Sequence, residues 1–215
     1  LGEGIEEQKP CKHPKSEIEG YVESNEPSIF SKEEGTDISI VCPNPYFYSK
    51  TDKLTVFSGI TGGFSFPFSK ESLTEKLIIM GTINRLTTNT VYYDGDADVG
   101  VTITIHAIGE ASGITIHNTT SKQIMKLNSS KIESITGSGI VNGDDIIICT
   151  VKGKKSIKLV RGGIEYNILA CLEKGVTWFN LVMGDNIFAY TAETGDTNLQ
   201  FKIENQILFE GVLLQ

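Results

Sequence analysis

The stretch 143–212 decides the fold; it opens GDDIIICTVKGKKSIKLVRGGIEYNILACL and closes TWFNLVMGDNIFAYTAETGDTNLQFKIENQILFEGV. Within it Ile146, Ile148 and Thr150 alternate with Ile147, Cys149 and Val151, the period of two that sends successive side chains to opposite faces of a strand. Lys152-Gly153-Lys154 supplies a short turn before Ser156-Ile157-Lys158-Leu159-Val160, so an antiparallel hairpin is predicted. Residues 186–192 and 198–204 flank the turn-rich Glu193-Thr194-Gly195-Asp196-Thr197, and a second strand pair of the same kind is expected there. Trp178, the single tryptophan, lies beside Phe179 and Leu181. It is expected to plug a sandwich core, burying on the order of 150–250 Å².

Upstream the same grammar repeats in shorter runs. Val101, Ile103 and Ile105 alternate with Thr102, Thr104 and His106, the cleanest apolar/polar alternation in the chain. Residues 114–117 and 123–127 predict another hairpin, and strands are expected at 18–23, 36–42, 54–57, 64–68, 76–80 and 89–93. Residues 132–140, with their serines and glycines, read as a connection into the opening stretch. Residues 1–16 are polar, with Pro10 and Pro14 among them, and are expected to order only against a partner.

These runs carry a family resemblance. The order GD-x-I-x-I-x-T-x-x-G-x-K-S-x-x-L, then W-F-x-L-x-x-G-x-N-x-F-x-Y, then N-L-Q-F and L-F-E-G-V, resembles the C-terminal half of distal tail proteins from siphophages of Gram-positive hosts. The stretch IEGYVESNEPSIFSKEEGTDISIVCPNPYFYS resembles the last strands of the same family's N-terminal ring-forming domain. The resemblance implies an all-β chain: an antiparallel β-sandwich of galectin-like or jelly-roll type at 49–215, preceded at 1–48 by a short remnant of the ring domain, most of which would lie upstream of Leu1. The remnant's strands would then have unpaired edges. It further implies a homo-hexameric hub, tail-tube and tail-tip proteins as partners, a place in the virion tail after assembly in the bacterial cytoplasm, and no catalytic residues.

Composition narrows the function classes. Nineteen basic against 27 acidic residues leave a net charge of −8, which opposes binding to nucleic-acid phosphates. Lys152, Lys154, Lys155 and Lys158 read as a solvated hairpin. No apolar run approaches the ~18 residues of a membrane helix, and residues 1–15 are too polar for a signal peptide. Cys11, Cys42, Cys149 and Cys171 lack CxxC spacing and read as reduced, with Cys42 and Cys149 in apolar strand patterns. Cys11 and His13 lack the second pair that a zinc site needs.

The chemical lures are read as structure. Asp94, Asp96 and Asp98 match the first three positions of a calcium loop, but Val99 and Ile105 stand where that loop needs Gly and Glu, so a tight strand connection is predicted. Asp144 and Asp145 are adjacent on a strand, point to opposite faces and cannot form one acid pair. His106 and His117 could face each other across a sheet, yet they lack a nucleophile and are read as polar-face packing. Asn118-Thr119-Thr120 and Asn128-Ser129-Ser130 match the glycosylation triplet, without consequence where no secretory signal precedes them.

Three functions follow. A structural tail-tip component acting by protein–protein assembly leads. A carbohydrate-binding module is the alternative, with Trp178 and Tyr166, or Tyr92 and Tyr93, as stacking residues. A cell-wall hydrolase rests only on scattered carboxylates. No cofactor or metal is expected.

Overall fold

The computed structural model describes residues 16–27, 35–62 and 81–210. The strands expected at 64–68 and 76–80, and the polar segment 1–15, lie outside these.

Strands β1 (Ser16–Glu17), β2 (Tyr21–Pro27), β3 (Thr36–Val41) and β4 (Phe47–Ser49) precede the main body. Next come β5 (Lys53–Val56), β6 (Ser58–Gly62), β7 (Gly81–Arg85), β8 (Thr88–Tyr93), β9 (Val99–Gly100) and β10 (Thr102–Ala107). β11 (Thr115–Asn118) and β12 (Gln123–Lys126) lead to helix α1 (Ser129–Thr136). The chain continues through β13 (Asp145–Cys149), β14 (Ser156–Arg161), β15 (Ile164–Asn167), β16 (Asn180–Leu181), β17 (Gly184–Thr191), β18 (Leu199–Asn205) and β19 (Leu208–Phe209).

Two antiparallel sheets make the body. One runs β15-β14-β13-β10-β18-β5, the other β12-β11-β17-β8. Alternation sends Val101, Ile103, Ile105, Ile146, Ile148, Ile157, Leu159, Phe201 and Ile203 inward from the first, and Val91, Tyr93, Ile116, Met125, Phe188 and Tyr190 inward from the second. An all-β sandwich therefore forms, as the period of two requires once each sheet has one wet face. Its sheets are tied by aromatic contacts: Tyr190 stacks on Phe201 with centroids 3.7 Å apart, and Phe57 sits 6.1 Å from Tyr190.

The hairpins at β11–β12 and β13–β14 stand as the alternation predicts. The pair expected at 186–192 and 198–204 does not: β17 belongs to the four-stranded sheet and β18 to the six-stranded one. Tyr190 and Phe201 meet face to face across the core, so the loop between them is an arch joining sheets and not a hairpin turn. The hairpin β14–β15 was not foreseen; its turn is Gly162-Gly163, with φ 55° and 82°, the two positive values that a two-residue loop of this twist needs.

Residues 132–140, read as a mere connection, begin within α1. Asn128 caps it by accepting from Lys131 N–H at 3.0 Å, and Gly137 ends it in the left-handed region at φ 79°. Only Ile132 of this helix is buried, which is why its apolar period was too weak to read. Among the described residues no helix is long and apolar enough to cross a membrane.

Outside the sandwich, β2 and β3 form a two-stranded ribbon with a bulge between Val22 and Ser24. β4 pairs with both β1 and β19, and β6 pairs with β7.

Candidate functional site

The outer face of the six-stranded sheet carries a set of polar and charged side chains from four strands. Strand register lays its side chains in three rows. Val160, Asp145, His106 and Gln200 form the first; Ile147, Thr104, Lys202 and Val56 the second; Cys149, Thr102 and Glu204 the third. All of these except Cys149 line a groove of about 530 Å³ over the middle of the sheet. Cys149 thus lies on the wet face, half-buried, rather than in an apolar strand interior.

The two adjacent aspartates diverge, as adjacent strand residues must. Asp145 meets His106 at 2.7 Å between Oδ1 and Nδ1 on the groove side. Asp144 is fully buried on the other side and binds Arg161 through both oxygens, at 2.8 Å and 2.6 Å. Arg161 also donates to Ser138 Oγ at 2.6 Å and Gly139 O at 2.7 Å, and Val141 N–H donates to Asp144 Oδ2 at 2.9 Å. The fork therefore clasps the end of α1 to the sheet. The Asp144 hydrogen bond raises the Arg161 pKa, against a smaller effect of burial. Arg161 escaped the sequence reading because its partner lies 17 residues away.

The stacking candidates do not assemble into one platform. Trp178, expected as the core plug, is only half-buried against the core margin, with the Lys155 ammonium 5.2 Å above its ring; its neighbour Phe179 is the fully buried residue there, 5.6 Å from Phe188. Tyr166 is half-buried on β15, opposite Leu159. Tyr92 is exposed on β8 with Lys53 5.0 Å from its ring centre. Tyr93 is buried; its hydroxyl donates to Ala97 O at 2.6 Å and accepts from Leu208 N at 3.2 Å. Burial holds its phenol above the ordinary tyrosine range, Leu208 pulls the other way, and Asp94, Asp96 and Asp98 add to the rise.

Residues 94–98 form a tight connection between sheets. A side chain at Gly95 would collide with the Tyr93 ring, and Asp96 N–H donates to Leu208 O at 2.9 Å. No group of three or more potential metal ligands converges among the described residues. His117 lies on β11 and His106 on β10, in different sheets, so the two do not face each other. Asn118, of the first triplet, is buried, and Asn128, of the second, caps α1.

The two carboxylates of the groove are too far apart for a glycosidase pair. Asp145 and Glu204 lie two strands and four residues apart, on the order of 15 Å between Cα atoms. A glycosidase pair needs ~5–10 Å. Glu204 is further engaged by Lys202 at 3.2 Å.

No family model matches the chain, and no curated protein matches it by sequence. Among solved structures the chain is similar to the Dit (gp 19.1) protein of phage SPP1, described as a paradigm of hub adsorption apparatus in Gram-positive infecting phages. That similarity has a TM-score of 0.60 and 13% identity, over 91% of this chain and 61% of that one. Two further matches are to the phage P2 baseplate in its activated conformation: with Ca, at TM-score 0.45 and 10% identity over 89% and 64%, and with Sr, at 0.42 and 10% over 88% and 64%. The chain thus spans less than two thirds of the length of each of these proteins, and what it shares with SPP1 Dit is the fold.

Proposed function

We propose that this chain is a structural component of a phage or prophage tail tip, a distal-tail hub protein that acts by assembling with copies of itself and with other tail proteins. The observation that carries this reading is the fold shared with SPP1 Dit over 91% of the chain, a span that takes in part of the N-terminal segment as well as the sandwich. We assign residues 1–48 to the end of a ring-forming domain and 49–215 to a galectin-like sandwich, in a siphophage of a Gram-positive host.

The β2–β3 ribbon supports the reading. Register places Val22, Ile38 and Ile40 on one face, and all three are more than half exposed, at 60%, 57% and 60%. A two-stranded ribbon is marginal by itself, and an exposed apolar face calls for a cover. In a closed hexameric ring, neighbours supply that cover and remove the free edges. Tail-tube and tip proteins would contact the ring, and the assembled particle would belong to the virion tail. The role breaks no bond.

Negative-stain images and sedimentation of the protein expressed from its complete reading frame test this. Sixfold rings are expected; a strictly monomeric protein at high concentration overturns the proposal.

A further inference from the structure

We propose that the outer edge of β15 pairs with β15 of a second copy of this chain, joining two six-stranded sheets antiparallel across a twofold axis. The pairing rests on the assembly role for its setting and is distinct from the contact that closes a ring.

A strand at the end of a sheet exposes a row of unpaired backbone groups, which folded proteins cover or block. The two main sheets end in four such strands, β15, β5, β12 and β8. Three of them are reached by other groups. Val56 O on β5 accepts from Asn89 Nδ2 at 3.1 Å; on β8, Thr90 N–H donates to Asn89 Oδ1 at 2.8 Å and Tyr92 O accepts from Lys53 Nζ at 2.8 Å. Residues 173–177 lie along β12: Ile124 N–H donates to Thr177 Oγ1 at 2.9 Å, and Glu173 N–H to Lys126 O at 3.1 Å. Among the described hydrogen bonds none reaches the outer backbone of β15.

The turn fixes which groups stay free. Gly162-Gly163 makes a two-residue loop, so Arg161 and Ile164 exchange hydrogen bonds, and further along Ile168 N–H donates to Ile157 O at 3.0 Å. Alternation between these points turns the N–H and C=O of Glu165 and Asn167 outward. That edge is self-complementary. With Glu165 opposite Asn167 of the second copy, both such pairs form and every outward group is used. Setting Glu165 opposite itself would oppose like charges, and setting Asn167 opposite itself would carry Glu165 past the end of the strand. The favoured register places Tyr166 opposite its own copy in a close, non-hydrogen-bonded position, where aromatic pairs are favourable. It also covers part of Ile164, 60% exposed on the same face of the strand. Lys158 holds Glu165 at 2.7 Å, so the charge that would guard this edge is neutralised.

Four-residue strands make an interface below the ~1,200 Å² of stable complexes, and two chains of −8 repel each other. The pair is therefore weak between isolated chains and stronger where an assembly holds several copies together. A twofold pair does not generate a sixfold ring, so the contact is additional to the ring's own.

Analytical ultracentrifugation of the 215-residue chain at up to about 1 mM, the range of weak contacts, tests this. A reversible dimer is expected, tightening as salt is raised, because salt screens the repulsion between chains while the backbone ladder carries no charge. Glu165→Pro should weaken it about tenfold or more and leave the unfolding midpoint near that of the parent, since the lost N–H points away from β14 and proline is tolerated at an edge. Glu165→Gln keeps that N–H and should dimerise at least as tightly as the parent. Hydrogen exchange reads the same contact without a substitution: the Glu165 and Asn167 amides should slow as concentration rises. A monomer at every concentration overturns the proposal. So does a dimer that Glu165→Pro leaves intact, or concentration-dependent protection confined to the β2–β3 ribbon. In the protein from its complete reading frame, Glu165→Pro should still form sixfold rings. Rings without β15 pairing therefore sink this inference alone, and β15 pairing without rings sinks the tail-tip reading alone.

Discussion

At the residue scale the Asp144–Arg161 pair stands apart, because among the described ion pairs it alone has a fully buried carboxylate. A bidentate fork onto a fully buried carboxylate leaves an uncompensated charge if either partner is removed. Arg161→Ala should therefore lower unfolding free energy by about 3–5 kcal/mol. Arg161→Lys should recover only part of it, since an ammonium lacks the planar fork. Urea unfolding of the variants checks both, and a cost for Arg161→Ala no larger than that of an ordinary surface substitution would contradict the geometry. Tyr93 supplies a pH signature. Its folded pKa is raised, chiefly by burial, so the folded state holds the proton more tightly than the unfolded chain does. That contribution is complete below the unfolded tyrosine value of about 10 and is lost as pH rises through the folded value. Unfolding free energy measured from pH 8 to 11 should fall more steeply in the parent than in Tyr93→Phe. At pH 8 the variant should already be weaker by about 1–3 kcal/mol, because Ala97 O and Leu208 N lose their partner.

At the element scale, α1 and the 94–98 connection show two ways in which one residue sets a segment. Asn128 satisfies a helix N–H that no other side chain reaches among the described hydrogen bonds. Asn128→Ala should cost about 1 kcal/mol and Asn128→Asp much less, by denaturant midpoint. Gly95 is required by space: any β-carbon meets the Tyr93 ring and the Leu208 carbonyl at 2.7 Å. Gly95→Ala should destabilise by about 1–3 kcal/mol, as overpacking does, with the largest NMR shifts at Tyr93 and at β19. The acidic loop was legible as a turn because Asp and Gly are turn formers. Its true constraint, a strand from the far end of the chain lying over it, is written in no local pattern.

At the scale of the whole molecule, the sandwich and the β2–β3 ribbon differ in how completely they are covered. Replacing Val22, Ile38 and Ile40 together by Thr should abolish assembly of the protein from its complete reading frame while leaving the sandwich's unfolding transition in place. Sedimentation and calorimetry of the same sample separate these outcomes. Within the sandwich, Cys171 is fully buried and burial pushes its thiol up, so the thiolate needed for reaction is scarce. Its labelling by a disulfide reagent should wait for global unfolding, and rapid labelling in the native state would show that the 168–178 segment opens locally.

The alternation of Val101, Ile103 and Ile105 with Thr102, Thr104 and His106 was enough to declare strands with one wet face, because side-chain direction follows from backbone geometry within a few residues. By itself the sequence determined that this protein is built of antiparallel strands, and which side of most strands faces inward. Only the tertiary structure decided that β17 and β18 face each other across the core, that Arg161 reaches Asp144, and that Thr104, His106, Asp145 and Gln200 meet in one groove. The physical reason is that sheet membership is a choice among non-local partners with similar edges, and it is settled by which apolar faces fit together best.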